Sequence, residues 1–203
     1  MLLALADLSF QRRRLSGFVQ PCLPSKVARP PSGPLWVHEI KHDGYRLMVR
    51  RDGARVRCFT KGGNNWADRF PAIAEAALRI KVSSFLIDGE AVIARDDGTP
   101  DFHALLSQRR GHEAVLFAFD LIEHDGTDVR ELPLIERKRR LKRLLGSAKR
   151  RAIQFTEHLT GDGRVRARLP HGAGGYPQEQ TSGPQSITSS AWAINVGGTT
   201  RAP

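Results

Sequence analysis

The stretch from Phe85 to Ala94 has the composition of a strand buried on both faces, yet Asp88-Gly89-Glu90 stands at its centre. A carboxylate withdrawn from water without a partner is costly, so the fold has to bring something to mid-strand. Either an arginine pairs with the acids or they hold a metal ion.

The surrounding sequence offers the strands and helices for such a sheet. Leu35–Ile40 reads as a strand. Tyr45–Arg51 and Ala54–Thr60 read as a hairpin about Asp52-Gly53, with Leu47, Val49, Val56 and Cys58 on one face. Helical spacing of Phe70, Ile73, Ala77 and Ile80 predicts a helix over Arg69–Ile80, with Asp68 as N-cap and Pro71 in its first turn. Asp96–Thr99 is a turn, Asp101–Gln108 a short helix, and Ala114–Ile122 another apolar strand. After a turn at Asp125-Gly126, Leu134–Leu145 is an amphipathic helix with Leu134, Leu141, Leu144 and Leu145 inward. Arg137, Lys138, Arg139, Arg140, Lys142 and Arg143 are expected on its outer, solvated face. The fold class that follows is α/β of the α+β kind, antiparallel sheets flanked by helices.

The ends differ from this middle. Residues 1–16 read as a disordered leader, and the prolines between Pro21 and Pro34 favour an extended approach to the first strand. From residue 164 to 203 there is no lysine and a single acid, Glu179, among many Gly, Pro, Ser and Thr residues. That composition reads as a low-order tail.

Charge narrows the partner class. The 203 residues carry 32 Lys plus Arg against 21 Asp plus Glu, a net +11 that favours polyanions such as nucleic acid. No apolar run approaches the roughly 18 residues of a membrane span, so a cytoplasmic chain is expected. Two cysteines, Cys22 and Cys58, are too few for a disulfide framework or a four-cysteine zinc site. The seven histidines show no metal-ligand spacing.

The chemistry concentrates in Glu39-Ile40-Lys41-His42-Asp43-Gly44-Tyr45-Arg46, a strand end, a tight turn and a second strand. Desolvation and nearby cations disfavour the ammonium form of a lysine, which makes its amine a usable nucleophile. Gly44 would let the backbone approach a phosphate, and Arg46 could fork onto phosphate or ribose oxygens. Lys-x-Asp-Gly alone also describes a hairpin-entry turn with surface charges. Its company favours the chemical reading: the acids of Phe85–Ala94, and a strand where Phe117 and Phe119 form an aromatic plate with Asp120 on the other face. Lysine, arginine, an acidic metal position and a stacking plate are the parts needed for nucleotidyl transfer.

In these motifs the chain resembles the covalent nucleotidyltransferases: ATP-dependent DNA ligases, RNA ligases and mRNA capping enzymes. Lys41 to Arg46 matches their Lys-x-Asp-Gly-x-Arg motif in full. Asp88-Gly89-Glu90 and Phe119-Asp120 match two later ones. Thr60-Lys61-Gly62-Gly63 occupies the place of a Ser/Thr-Arg-x-Gly element, with Lys61 where arginine is usual. The flanks, Trp36 to Lys41 and Trp66 to Pro71, look most like bacterial end-joining ligases. The resemblance covers residues 17–163, an incomplete nucleotidyltransferase domain of ATP-grasp-like type.

The resemblance implies that Lys41 attacks the α-phosphate of ATP, expelling pyrophosphate and forming lysyl-AMP. Glu39 would read the adenine amino group, with Ile40 beside it in the nucleotide contacts. Arg46 would bind ribose and phosphate, Lys61 would take the arginine's place, and Phe119 would stack on the base. Glu90 would hold Mg²⁺ or the ribose. The implied substrate is nicked or broken double-stranded DNA in repair and recombination, met by a monomer at the bacterial nucleoid, with end-joining proteins as further partners. The family's later Glu-Gly-hydrophobic-hydrophobic-x-Lys and Lys-x-Lys strands have no counterpart after Gly163, where the texture suggests truncation or a shifted frame. Impaired activity is therefore expected. Two other readings remain: a non-catalytic basic DNA-binding remnant that uses Leu134–Leu145, and an RNA ligase or capping-type enzyme.

Overall fold

A computed structural model of the chain describes residues 17–23, 33–97, 99–146, 152–161 and 192–195. The leader at 1–16 and most of the Pro-rich stretch and the tail lie outside these residues.

Strand β1 (Gly33–Glu39) belongs to a second sheet; among the described residues the main sheet has six strands, β2 (Tyr45–Asp52), β3 (Arg55–Thr60), β4 (Ser84–Val92), β5 (Val115–His124), β6 (Thr127–Asp128) and β7 (Ile153–Phe155), in the order β3-β2-β4-β5-β6, with β7 parallel to β5. The apolar face of this sheet buries Leu47, Val49, Cys58, Phe85, Ile87, Leu116, Ala118 and Leu121. Two helices close that core. Helix α1 (Pro71–Leu78) contributes Ile73, Ala76 and Ala77, and α3 (Leu134–Leu145) contributes Leu141 and Leu145. Between β4 and β5 lies the short helix α2 (Phe102–Leu106), whose first turn is capped by Asp101 accepting from the Ala104 amide at 3.0 Å.

A second sheet places β1 (Gly33–Glu39) between β8 (His158–Gly161) and β9 (Trp192–Asn195), both antiparallel to it. The mixed, largely antiparallel architecture is the expected one. Strand β9 was not: its residues pair beside β1 although they lie in the segment whose composition suggested low order.

Three local expectations need correction. Asp68 does not cap α1, which starts at Pro71: the N-cap position falls two residues later on Phe70, whose side chain has no oxygen to accept an amide. The hairpin turn falls one residue later than expected, on Gly53-Ala54, because Asp52 pairs with Arg55 and Gly53 takes the positive φ of 58°. Arg137 and Lys138 are not on a solvated face of α3; both are buried.

The opposite face of the main sheet is part apolar and part ionic. Met48, Phe59, Leu86 and Ile122 form a small cluster against Val19, so the segment at 17–23 runs over this face. Beside it Arg50 and Glu123, each at most 1% exposed, pair at 3.0 Å. Ser84 donates to the other Glu123 oxygen at 2.5 Å, and Arg50 Nε donates to the Gly17 carbonyl at 3.1 Å. Sheet, strap and ion pair thus fix one another.

Candidate active site

Alternation along the strands carries the site onto that same face. Arg46 on β2 stands opposite Glu90 on β4, and Glu90 stands opposite Phe117 on β5. A register shift between Asp88 and Gly89 adds a residue to β5, so Asp120 stands opposite Asp88. The expectation that Asp120 points away from the aromatic plate is therefore wrong: the bulge returns it to the face that carries Asp88.

The buried acids find arginines. Arg46 forks onto Asp88, Nε to Oδ1 at 3.0 Å and Nη2 to Oδ2 at 2.7 Å, while its guanidinium lies 5.4 Å from the centre of the Phe119 ring. Arg137 forks onto Asp120 at 2.8 and 3.0 Å and donates to the Leu132 carbonyl at 2.7 Å. Lys138 donates to Glu39 and, at 2.5 Å, to the carbonyl of Phe119. Glu39 itself is buried, which raises its pKa against the lowering effect of Lys138.

Of the acids on this face Glu90 stands apart: among the described residues it forms no ion pair. Burial pushes its carboxyl up to about 7, against the pull of Arg46, the Gly44 backbone and Lys41. This is the environment in which a bound cation would restore the carboxylate. No cluster of three or more potential metal ligands occurs among the described residues. Glu90 alone suits Mg²⁺, which takes one or two carboxylates and fills its remaining positions with phosphate oxygens and water.

The Lys41 turn is held from two sides. Its His42 ring stacks on Phe117 at 4.0 Å and 10°, and burial lowers the His42 pKa to about 4, against the opposing charge of Asp43. A Cβ on Gly44 would lie 2.1 Å from the Ala91 carbonyl oxygen, so glycine is needed for the turn to pass β4. Gly89 is needed likewise, because a Cβ there would lie 2.8 Å from the Phe117 carbonyl oxygen. Packing of the turn against β4 is thus a requirement for glycine at this position that the sequence did not show. The Lys41 amine, partly exposed, pairs with Asp43.

Lys41, Arg46, Glu90 and Phe119 accordingly gather at one end of the sheet. Phe117 does not offer a free plate, because His42 covers it. Ile40 is 53% exposed beside the turn. Lys61, exposed after β3, forms no hydrogen bond or ion pair among the described residues. Sequence reasoning missed the roles of His42, Arg137 and Lys138. A signal for the last was present: Leu134, Lys138, Leu141 and Leu145 follow helical spacing along one stripe.

Comparison with known proteins identifies the family. The family model for the ATP dependent DNA ligase domain matches residues 24–168. The chain belongs to the ATP-dependent DNA ligase family. Among its relatives, the multifunctional non-homologous end joining protein LigD of Pseudomonas aeruginosa is 37% identical over 150 residues, 72% of this chain and 18% of that protein. A probable DNA ligase of an Anaeromyxobacter species is 31% identical over 83% of this chain and 34% of its own length. The crystal structure of the ligase domain of M. tuberculosis LigD superposes with a TM-score of 0.54 at 30% identity, covering 65% of this chain and 43% of that one. A mycobacterial DNA ligase D complexed with ATP and MES gives 0.52 at 28% identity, covering 66% and 46%. The chain spans less than half the length of these relatives.

The Glu90 environment makes a testable pH signature. Its folded-state pKa of about 7 lies above the ordinary 4.5, so the folded state binds the proton more tightly. The contribution of this group to stability is full below 4.5 and is lost as the pH rises through about 7. Glu90→Gln removes that loss. The melting temperature of the variant minus that of the wild type should therefore rise between these two pH values; a difference that falls or stays flat would contradict the assignment.

Proposed function

We propose that this chain is the nucleotide-binding part of a DNA ligase and that Lys41 is the residue adenylated by ATP. The observation that carries the reading is that Lys41, Arg46, Glu90 and Phe119 gather at one end of the main sheet, supported by the family membership.

In this reading the Lys41 amine leaves Asp43 and attacks the α-phosphate. A P–N bond forms, the bond to pyrophosphate breaks, and the amine proton passes to solvent. Arg46, held by Asp88, is placed to meet the ribose or phosphate, and Phe119 offers its ring to the base. Glu39 accepts from the adenine amino group, with Ile40 beside it, and Lys61 stands in for the family's arginine. Magnesium held by Glu90 would neutralise charge on the departing phosphates. The AMP would then pass to a 5′-phosphate at a nick or break in double-stranded DNA, and the adjacent 3′-hydroxyl would displace it. Repair and recombination by end joining, in company with other end-joining proteins, is the setting proposed. A monomer in the bacterial cytoplasm near the nucleoid fits this reading, and no described helix is long and apolar enough to cross a membrane.

The alternative of a basic remnant that binds DNA through α3 has less support. Its exposed cations are partly met by acids: Arg139 and Arg140 by Glu136 at 2.7 and 3.0 Å, and Lys142 by Glu157 at 2.6 Å.

Nucleotide binding can be tested by thermal melting. Saturating ATP with magnesium should raise the melting temperature, since a ligand bound only by the folded state stabilises it and each kcal/mol is worth roughly 2–4 °C in a chain of this size. Arg46→Met should lose the shift. No shift at millimolar ATP, or an equal shift in Arg46→Met, would overturn the reading.

A further inference from the structure

We infer that Lys138 is a specificity-positioning residue, which fixes Glu39 as a pure hydrogen-bond acceptor and so makes the site prefer adenine to guanine. The inference rests on the proposed placement of Glu39 against the base.

Lys138 joins three elements. It comes from α3, donates to the Glu39 carboxylate at the end of β1, and donates to the Phe119 carbonyl on β5 at 2.5 Å. Its side chain has no exposure, so it acts through Glu39 rather than by touching the base. The distance between Lys138 and Glu39 along the chain, and their junction at the base-stacking residue, make this more than a surface ion pair. Only one Glu39 oxygen is engaged. Among the described residues no donor is bonded to the other, which leaves it to receive a ligand.

The surroundings of Glu39 would otherwise favour its proton. Burial acts first in that direction, and the nearby Asp120 and Asp88 act in the same sense, while Lys138 opposes them. From β8, His158 stands opposite Glu39, and it is kept toward its neutral form by burial and by Lys138 itself. Arg137 and Arg46 are committed to Asp120 and Asp88. Lys138 is therefore the cation left to hold Glu39 ionised.

Ionisation decides what the pocket can read. A carboxylate accepts hydrogen bonds only, whereas a protonated carboxyl both donates and accepts. The carboxylate suits the exocyclic amino group of adenine and repels the carbonyl that guanine presents at the same ring position. Once protonated, Glu39 could donate to that carbonyl, and the distinction would fade. Specificity here would be a matter of the wrong base leaving buried polar groups unpaired.

The experiment is equilibrium binding of ATP and of GTP, each with magnesium, to the full chain. The wild type should prefer ATP, and Lys138→Met should lower the ATP-to-GTP affinity ratio about tenfold or more, the size of one charge-assisted hydrogen bond. Lys138→Arg, which keeps the cation, should preserve most of the ratio. Glu39→Gln should lose it, because an amide can donate or accept. Circular dichroism checks folding; if Lys138→Met does not fold, Lys138→Gln, which keeps a donor and removes the charge, takes its place and should show the same lowered ratio. A wild type that prefers ATP, with a folded Lys138→Met or Lys138→Gln variant that prefers it equally, overturns the role of Lys138 and leaves nucleotide binding intact. A wild type that binds neither nucleotide overturns the underlying placement of Glu39 and this inference with it. A simply structural lysine would weaken ATP and GTP alike, which would also refute the assignment.

Discussion

Replacing Arg50 with leucine should destabilise the protein by about 3–5 kcal/mol, because removal of one partner leaves a buried charge uncompensated. Arg50 and Glu123 are both sealed from solvent, and Ser84 can satisfy only one oxygen of the remaining carboxylate. The change also releases the bond from Arg50 to the Gly17 carbonyl, which fastens the strap at 17–23 over the sheet. The double change Arg50→Leu with Glu123→Leu should cost much less than Arg50→Leu alone, since removing both charges removes the desolvation penalty as well. Urea denaturation of the three proteins measures this. Equal destabilisation by the single and double variants would show that packing, and not the unpaired charge, sets the loss.

The second large effect concerns chemistry. We expect this chain to form lysyl-AMP poorly or not at all and to seal no nicks by itself. Charge develops on the phosphates as Lys41 attacks, and fixed donors at such positions are each worth roughly 3 kcal/mol. The resemblance implies two lysine-bearing strands after Gly163, but the last lysine of this sequence is Lys149. Strand β9, beside β1, brings Trp192-Ala193-Ile194-Asn195 and no lysine. Losing two such donors would lower the rate by several powers of ten, although losses of this kind are not additive. Lys41, Arg46 and Glu90 remain in one place, so a trace of self-labelling fits the geometry.

Periodicity and turn chemistry made most of the sheet legible. The strand carrying Asp88 and Glu90 announced its need for partners, and Arg46 was close enough in the motif to be singled out as one group of the site. Its bond to Asp88, however, depends on the register between β2 and β4, which no local pattern contains. The same limit hid Arg137 and Lys138. Counting charges assigned them to solvent, although helical spacing places Lys138 among leucines; only the approach of α3 to Asp120 and Glu39 reveals why burial is tolerated. Asp120 was put on the wrong face because strict alternation ignores a bulge. That Gly44 also has to pass the Ala91 carbonyl was hidden, since this approach is fixed by tertiary packing. The stacking of His42 on Phe117 was equally invisible, since a histidine beside a nucleophile carries no signal of which strand it will meet.

The most direct test of the account is covalent labelling of purified protein by ATP labelled at the α-phosphate, with magnesium and a nicked duplex, for the wild type and Lys41→Ala. At most a trace of protein-bound label is expected, with its complete loss in Lys41→Ala and no sealed product. Label that persists in Lys41→Ala would contradict the assignment of the nucleophile, and robust Lys41-dependent labelling with nick sealing would contradict the predicted impairment.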